Sequence, residues 1–172
     1  MSTQPLSELY QYPTQLLLYT RYFKRLLNFF LDDPFYSSQV RLPTIDTPLS
    51  SKILDDPCFR FFNECIGAID GTHIRVFASA NQHATMCNRK GFLSQNCLFA
   101  CDHDFLFIYS LCGWDGSVAD GALWNDARAH DLALSPGKYL LADAGFGTCD
   151  ALLVPYRGVH YHLNEWHQAS QQ

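Results

Sequence analysis

Two short apolar runs in this chain each deliver an aspartate that glycine follows within two residues: Gly67-Ala68-Ile69-Asp70-Gly71-Thr72-His73 and Leu140-Leu141-Ala142-Asp143-Ala144-Gly145-Phe146. Runs this short, bounded by turn residues, read as buried strands rather than helices. An aspartate closing such a strand rides on a rigid sheet and can present hard carboxylate oxygens to Mg²⁺ or Mn²⁺. Asp-Gly is also an ordinary turn signal that needs no ligand. Two sites of the same form, on opposite sides of a predicted helix, favour a shared metal site over two unrelated turns.

The neighbouring segments fill in a layered α/β architecture. Cys65 to Ile69, Asn96 to Cys101 and Phe105 to Cys112 are strand candidates, with Asp102-His103-Asp104 as a hairpin tip, and their joins suggest an antiparallel meander. Ser117 to Leu134 reads as a helix with Ser117 as N-cap, closed by Pro136-Gly137; Lys138 to Ala142 and Ala151 to Val154 follow as strands. Strand, strand, strand, helix, strand predicts an α/β fold with a mixed sheet and flanking helices. Ahead of this lies a different texture. Thr14 to Leu31 carries apolar residues at three- and four-residue steps and predicts an amphipathic helix that Asp32-Asp33-Pro34 stops. Its Arg21, Lys24 and Arg25 read as a solvated face. Pro34 to Pro57 is a proline-rich connector with one short helix started by Thr47-Pro48. The expected division is therefore 1–57, helix and connector, and 58–172, the α/β domain.

Charge and cysteine usage narrow the class. With 12 basic and 17 acidic residues the formal charge is −5, so no global basic footprint for nucleic acid exists and any DNA contact must be local. No apolar run approaches the about 20 residues of a membrane helix, and Met1 to Tyr12 lacks the order of a secretory signal, so a nuclear or cytoplasmic protein is expected, with no membrane partner. The seven cysteines are odd in number with no Cys-x-x-Cys pair, which argues against a disulfide framework or zinc ribbon and for buried thiols.

Five linked motifs, in order from about Phe35 to Leu163, resemble the PIF/Harbinger group of DDE transposases and the nucleases domesticated from them. They are Cys65-Ile66-Gly67-Ala68-Ile69-Asp70-Gly71-Thr72-His73-Ile74, Asn88-Arg89-Lys90-Gly91-Phe92-Leu93-Ser94-Gln95-Asn96, Gly113-Trp114-Asp115-Gly116-Ser117, Leu141-Ala142-Asp143-Ala144-Gly145-Phe146, and Pro155-Tyr156-Arg157-Gly158 with Tyr161-His162-Leu163. The resemblance implies a ribonuclease-H-like fold and an Asp-Asp-Glu triad holding two divalent metals for in-line displacement at a phosphodiester of DNA. By motif position, Asp70 matches the first acid and Asp143 the second, each as metal ligand and catalytic residue. Asp120 is a rival ligand that reads better as a helix-dipole partner behind the site. The family's His-Asp pair is here Ala119-Asp120.

Other polar residues rank lower. Asn88, Arg89 and Lys90 are the best local phosphate contacts, although a solvated turn is nearly as good a reading. His73 is expected to pack or hydrogen-bond, since Mg²⁺ prefers oxygen donors. His160 and His162 share a strand face without a third zinc ligand nearby in sequence.

The family's third acid lies on a helix beyond Tyr-His-Leu, and this sequence ends nine residues after Leu163. The expectation is a domain incomplete at its C-terminus, with Glu165 unassigned. Two outcomes compete: a divalent-metal-dependent endonuclease impaired by the missing acid, or a non-catalytic DNA- or protein-binding module. In either, a partner protein supplying DNA binding is a further expectation.

Overall fold

A computed structural model describes residues 13–156 and 158. The chain divides into two units, Met1–Arg41 and Leu42–Gln172. In the first, α1 (Pro13–Leu31) stops where the acidic pair and proline predict, and α2 (Phe35–Gln39) follows. Phe29, Phe30 and Phe35 stack at the junction, with ring centroids 5.1 to 5.6 Å apart. The apolar side chains of α1 from Leu16 onward are exposed.

The division falls ahead of the expected boundary at Pro57, because the connector is tied to the sheet. The short helix begins later than Thr47-Pro48: α3 spans Ser51–Leu54, with the Ser50 hydroxyl accepting from Lys52 N. Thr47 is instead used in a turn, its hydroxyl accepting from Thr44 N at 2.8 Å. Lys52 Nζ donates to His103 O at 2.7 Å and pairs with Asp104. A 3₁₀ turn at Pro57–Phe62 follows, and the Tyr139 hydroxyl donates to Phe61 O.

Five strands form one mixed sheet. They are β1 (Cys65–Arg75), β2 (Ser94–Cys101), β3 (Phe107–Asp115), β4 (Tyr139–Leu141) and β5 (Leu152–Leu153). The spatial order is β3-β2-β1-β4-β5. β1, β2 and β3 make the expected antiparallel meander, while β4 runs parallel to both β1 and β5. This is the mixed α/β arrangement expected of a ribonuclease-H-like domain. The hairpin tip falls at Asp102-His103-Asp104 as predicted, where Asp102 Oδ1 accepts from Asp104 N and Leu106 N.

β1 does not end at Asp70-Gly71. It continues to Arg75 because every residue from Ala68 to Arg75 finds a partner on β2, the last being Ser94. A ladder of that length overrides the local turn preference of Asp-Gly. Asp70 is therefore a mid-strand residue.

Between β1 and β2 lies the short helix α4 (His83–Met86); after β3 comes α5 (Asp120–His130). α5 is shorter than the predicted Ser117 to Leu134. Ser117 and Val118 are held outside the helix by Thr85 O and Asp115 O, and Ala119 takes the N-cap position without a side-chain cap. At the other end Asp131 N and Leu132 N both donate to Ala127 O, which closes the helix early. Leu123, Trp124 and Ala127 face the sheet and join Ile69, Leu98, Ala100, Leu140, Phe146 and Leu152 in the core. The opposite face of β1 presents Ala68, Asp70, Thr72 and Ile74, all exposed among the described residues.

The thiols are less buried than expected. Cys65 and Cys97 are buried, but Cys58, Cys112 and Cys149 are exposed. Apolar sequence surroundings do not bury a residue when the strand face it lies on is open.

Candidate active site on the β1–β4 seam

Asp70 and Asp143 come from adjacent parallel strands. Ala68 pairs with Leu141, the last residue of β4, and Asp143 follows two residues beyond it, as Asp70 follows Ala68. Residues paired in register share a face of the sheet. Each carboxylate is oriented by the backbone that follows it: Asp70 Oδ1 accepts from Gly71 N at 2.8 Å, and Asp143 Oδ1 accepts from Gly145 N at 2.7 Å. Phe146 N also donates to Asp143 O, and the Phe146 ring is buried in the core, which anchors the turn.

The charges of this seam are felt at Asp70. Partial burial pushes its carboxyl above the ordinary aspartate value, the Gly71 hydrogen bond opposes that, and the carboxylates of Asp143 and then Asp120 push it further up. Like charges gathered with hard oxygen donors are what a divalent cation relieves. The donor chemistry of the Asp70 and Asp143 pair thus fits Mg²⁺ or Mn²⁺. Among the described residues, however, no group of three or more His, Cys, Asp or Glu side chains is placed to hold a metal ion.

Asp120 occupies different ground. It opens α5, half-buried, with Oδ1 accepting from Asn96 Nδ2 at 2.8 Å. Its carboxylate packs directly on the Cα of Gly71, so closely that a Cβ there would collide with it. Because successive strand residues point to opposite faces, the position that Gly71 leaves open lies behind the strand from the Asp70 side chain. From that side Asp120 adds its charge to that of Asp143 at Asp70.

Of the three phosphate candidates, Arg89 and Lys90 are exposed and Asn88 is buried. Asn88 is engaged within its own turn: Oδ1 accepts from Lys90 N and Phe92 N, and Nδ2 donates to Ser94 Oγ. That leaves Arg89 and Lys90 available to a phosphate. Arg75, which the sequence reading did not single out, lies nearby with its guanidinium 4.4 Å from the centroid of the Phe92 ring. The Arg75–Ser94 rung is five residues along β1 from the Asp70–Phe99 rung, about 17 Å at strand rise.

His73 hydrogen-bonds Ser94 Oγ through Nδ1 at 3.1 Å, the packing role expected of it. Asn96 was not foreseen. It is wholly buried, donating from Nδ2 to Val118 O and to Asp120, while its Oδ1 has no hydrogen-bond partner among the described residues. An asparagine inside an apolar strand was the available signal, since buried polar groups need partners. His160, His162 and Glu165 lie outside the described residues.

The sequence pattern of the DDE superfamily endonucleases matches residues 69–172. The chain is also similar to curated proteins of mammals named "Putative nuclease HARBI1": 29% identical over 112 residues in Rattus norvegicus, 28% in Mus musculus and 26% in Homo sapiens. Each alignment covers 61% of this chain and 32% of the relative, so the chain spans about a third of the length of the relatives it matches. No solved structure matches.

Proposed function

The chain belongs to the DDE superfamily endonuclease family, and we propose that it uses Asp70 and Asp143 as paired ligands for Mg²⁺ or Mn²⁺ in phosphodiester cleavage or strand transfer on DNA. The observation that supports this reading is the register of β4 on β1, which pairs Ala68 with Leu141, two residues ahead of Asp70 and Asp143, together with the Asp143 charge felt at Asp70. Gly71 N–H and Gly145 N–H each fix one oxygen, which turns the second oxygen of each carboxylate into a preset ligand. A divalent cation, when bound, supplies charge neutralisation at the attacking and leaving oxygens. Arg89 and Lys90 contact backbone phosphates away from the reacting centre, fixing register rather than performing chemistry.

Two carboxylates alone fix a cation loosely, and a misplacement of about 1 Å costs about 10²-fold in rate. Cleavage by this chain on its own is therefore weak, and a partner protein supplies the affinity for DNA. The lack of a three-donor group among the described residues favours one second reading, a non-catalytic module that contacts DNA or a protein.

Nicking of supercoiled plasmid with Mn²⁺ separates the two, run with wild type, Asp70→Asn, Asp143→Asn and Glu165→Gln. Weak nicking that both aspartate variants lose supports the enzyme. Gel-shift binding without nicking in any variant supports the module. Robust nicking that Glu165→Gln also abolishes would show that the chain carries a full ligand set, against the reading of an impaired site.

A further inference from the structure

Outside the carboxylate seam, two thiols face each other across the sheet. Cys97 lies within β2, opposite Thr72 of β1 on one side. On its other side the ladder with β3 is irregular. Asn96 pairs with Trp114 and Leu98 with Leu111, so Cys112 and Gly113 together oppose Cys97. Two residues against one is a β-bulge, and Gly113 has the positive φ, 104°, that lets the strand bend there. The bulge sets Cys112 across from Cys97, close enough for the two thiols to influence each other's ionisation.

The geometry suits a covalent bond. Neighbouring strands lie about 4.7–4.9 Å apart in the hydrogen-bonding direction. That lies inside the about 4.4–6.8 Å span that a disulfide bridges. Access is asymmetric, because Cys112 is exposed and Cys97 has no exposed surface. A reagent reaches the pair through Cys112 first. Cys101 provides a contrast on the same strand: its partner on β3 is Phe107, so no thiol opposes it there.

We propose that Cys97 and Cys112 form a modification site for low-molecular-weight disulfides such as glutathione disulfide, closing reversibly into a cross-strand disulfide. The Cys112 thiolate attacks one sulfur of glutathione disulfide, forming a Cys112–glutathione mixed disulfide and expelling one glutathione thiolate. The Cys97 thiolate then attacks the Cys112 sulfur, forming the Cys97–Cys112 bond and expelling the second. The protein gives up two electrons and two protons, and glutathione disulfide is reduced to two glutathione thiols. Burial, the hydrogen bond to Cys97 and the charge of that neighbour push the Cys112 thiol up to about 11. Its thiolate is scarce at neutral pH, so the reaction is best run in mild alkali.

The test uses the full chain, reduced, then incubated with glutathione disulfide at about pH 9 and mapped by non-reducing peptide mass spectrometry. The expected wild-type product joins the Cys97 and Cys112 peptides, retains no glutathione at either, and reverts with thiol reductant. Cys97→Ser is expected to keep one glutathione on Cys112, because no second thiol is there to expel it. Three wild-type results would overturn the proposal: a lasting glutathione adduct on Cys112, a bridge from Cys97 or Cys112 to any other cysteine, or both thiols unmodified while Cys58 and Cys149 react. Because the wild-type map alone decides, a variant that folds poorly does not blunt the test.

Discussion

Gly71→Ala probes the packing behind the first carboxylate. The new methyl group has no positive-φ strain to meet, since Gly71 has none; what it meets is the Asp120 carboxylate. That carboxylate must move, and with it goes the hydrogen bond from Asn96 Nδ2. A buried hydrogen bond to a charged acceptor is worth about 1.5–3 kcal/mol. Removing the flexibility of glycine from the unfolded chain returns about 0.4–1 kcal/mol. The net expectation is a loss of about 0.5–2.5 kcal/mol, read as a lowered urea midpoint with unchanged slope. A double-mutant cycle with Asp120→Ala isolates the cause. In that background the three nearest atoms the methyl group would strike are gone, so the cost of Gly71→Ala should fall sharply. An equal cost in both backgrounds would refute the assignment of Asp120 as the group packed on Gly71.

Further outcomes follow from other positions. Gly67→Ala should cost more than about 3 kcal/mol, because Gly67 has φ 151° and a Cβ there would strike the backbone carbonyl of Cys101, which cannot step aside; thermal unfolding reads the loss. Asn88→Ala should lower stability by about 2 kcal/mol through the lost turn hydrogen bonds, while Arg89→Ala with Lys90→Ala should leave stability unchanged and reduce the salt dependence of DNA binding. Asp70 has its folded carboxyl raised, so its contribution to stability is complete below the unfolded value and is lost as pH rises through the folded one. Asp70→Asn should therefore be more stable than wild type at pH 7, by no more than about 0.5 kcal/mol given solvent screening, with the gap closing towards pH 3. A destabilised Asp70→Asn at neutral pH would count against the charge repulsion at the seam.

The meander, the hairpin tip and the two aspartate segments were legible because apolar runs of strand length alternate with Gly, Asp and Asn. That β1 and β4, which carry or precede the two aspartates, are neighbours fits the mixed sheet inferred from the same pattern. What escaped was set by partners distant in sequence. β1 runs past Asp70-Gly71 because β2 supplies partners as far as Ser94, which no local preference encodes. α5 begins late because Thr85 and Asp115 capture Ser117 and Val118. Asn96 reads in isolation as one polar residue in a strand, yet in the fold it joins Val118 to Asp120. Asn88 reads as a surface polar group and turns out to be the buried anchor of its turn.

β1 has two neighbours that are reached over very different spans of chain. β2 returns from the segment that follows β1, whereas β4 comes back to it only after β2, β3 and α5 have been laid down. Closing the longer loop carries the greater entropic cost and slows the pairing that depends on it. The antiparallel meander is thus the part of the sheet expected to form first, with the β1–β4 ladder following. Asp70 is set on its strand while one edge of β1 is still open, and Asp143 reaches it only when Tyr139–Leu141 docks. The repelling carboxylates are brought together last, after the core contacts that hold them there have begun to form. An intermediate of this chain would have most of its strands but Asp143 still undocked, and its open β1 edge would be a template for the strand of another molecule.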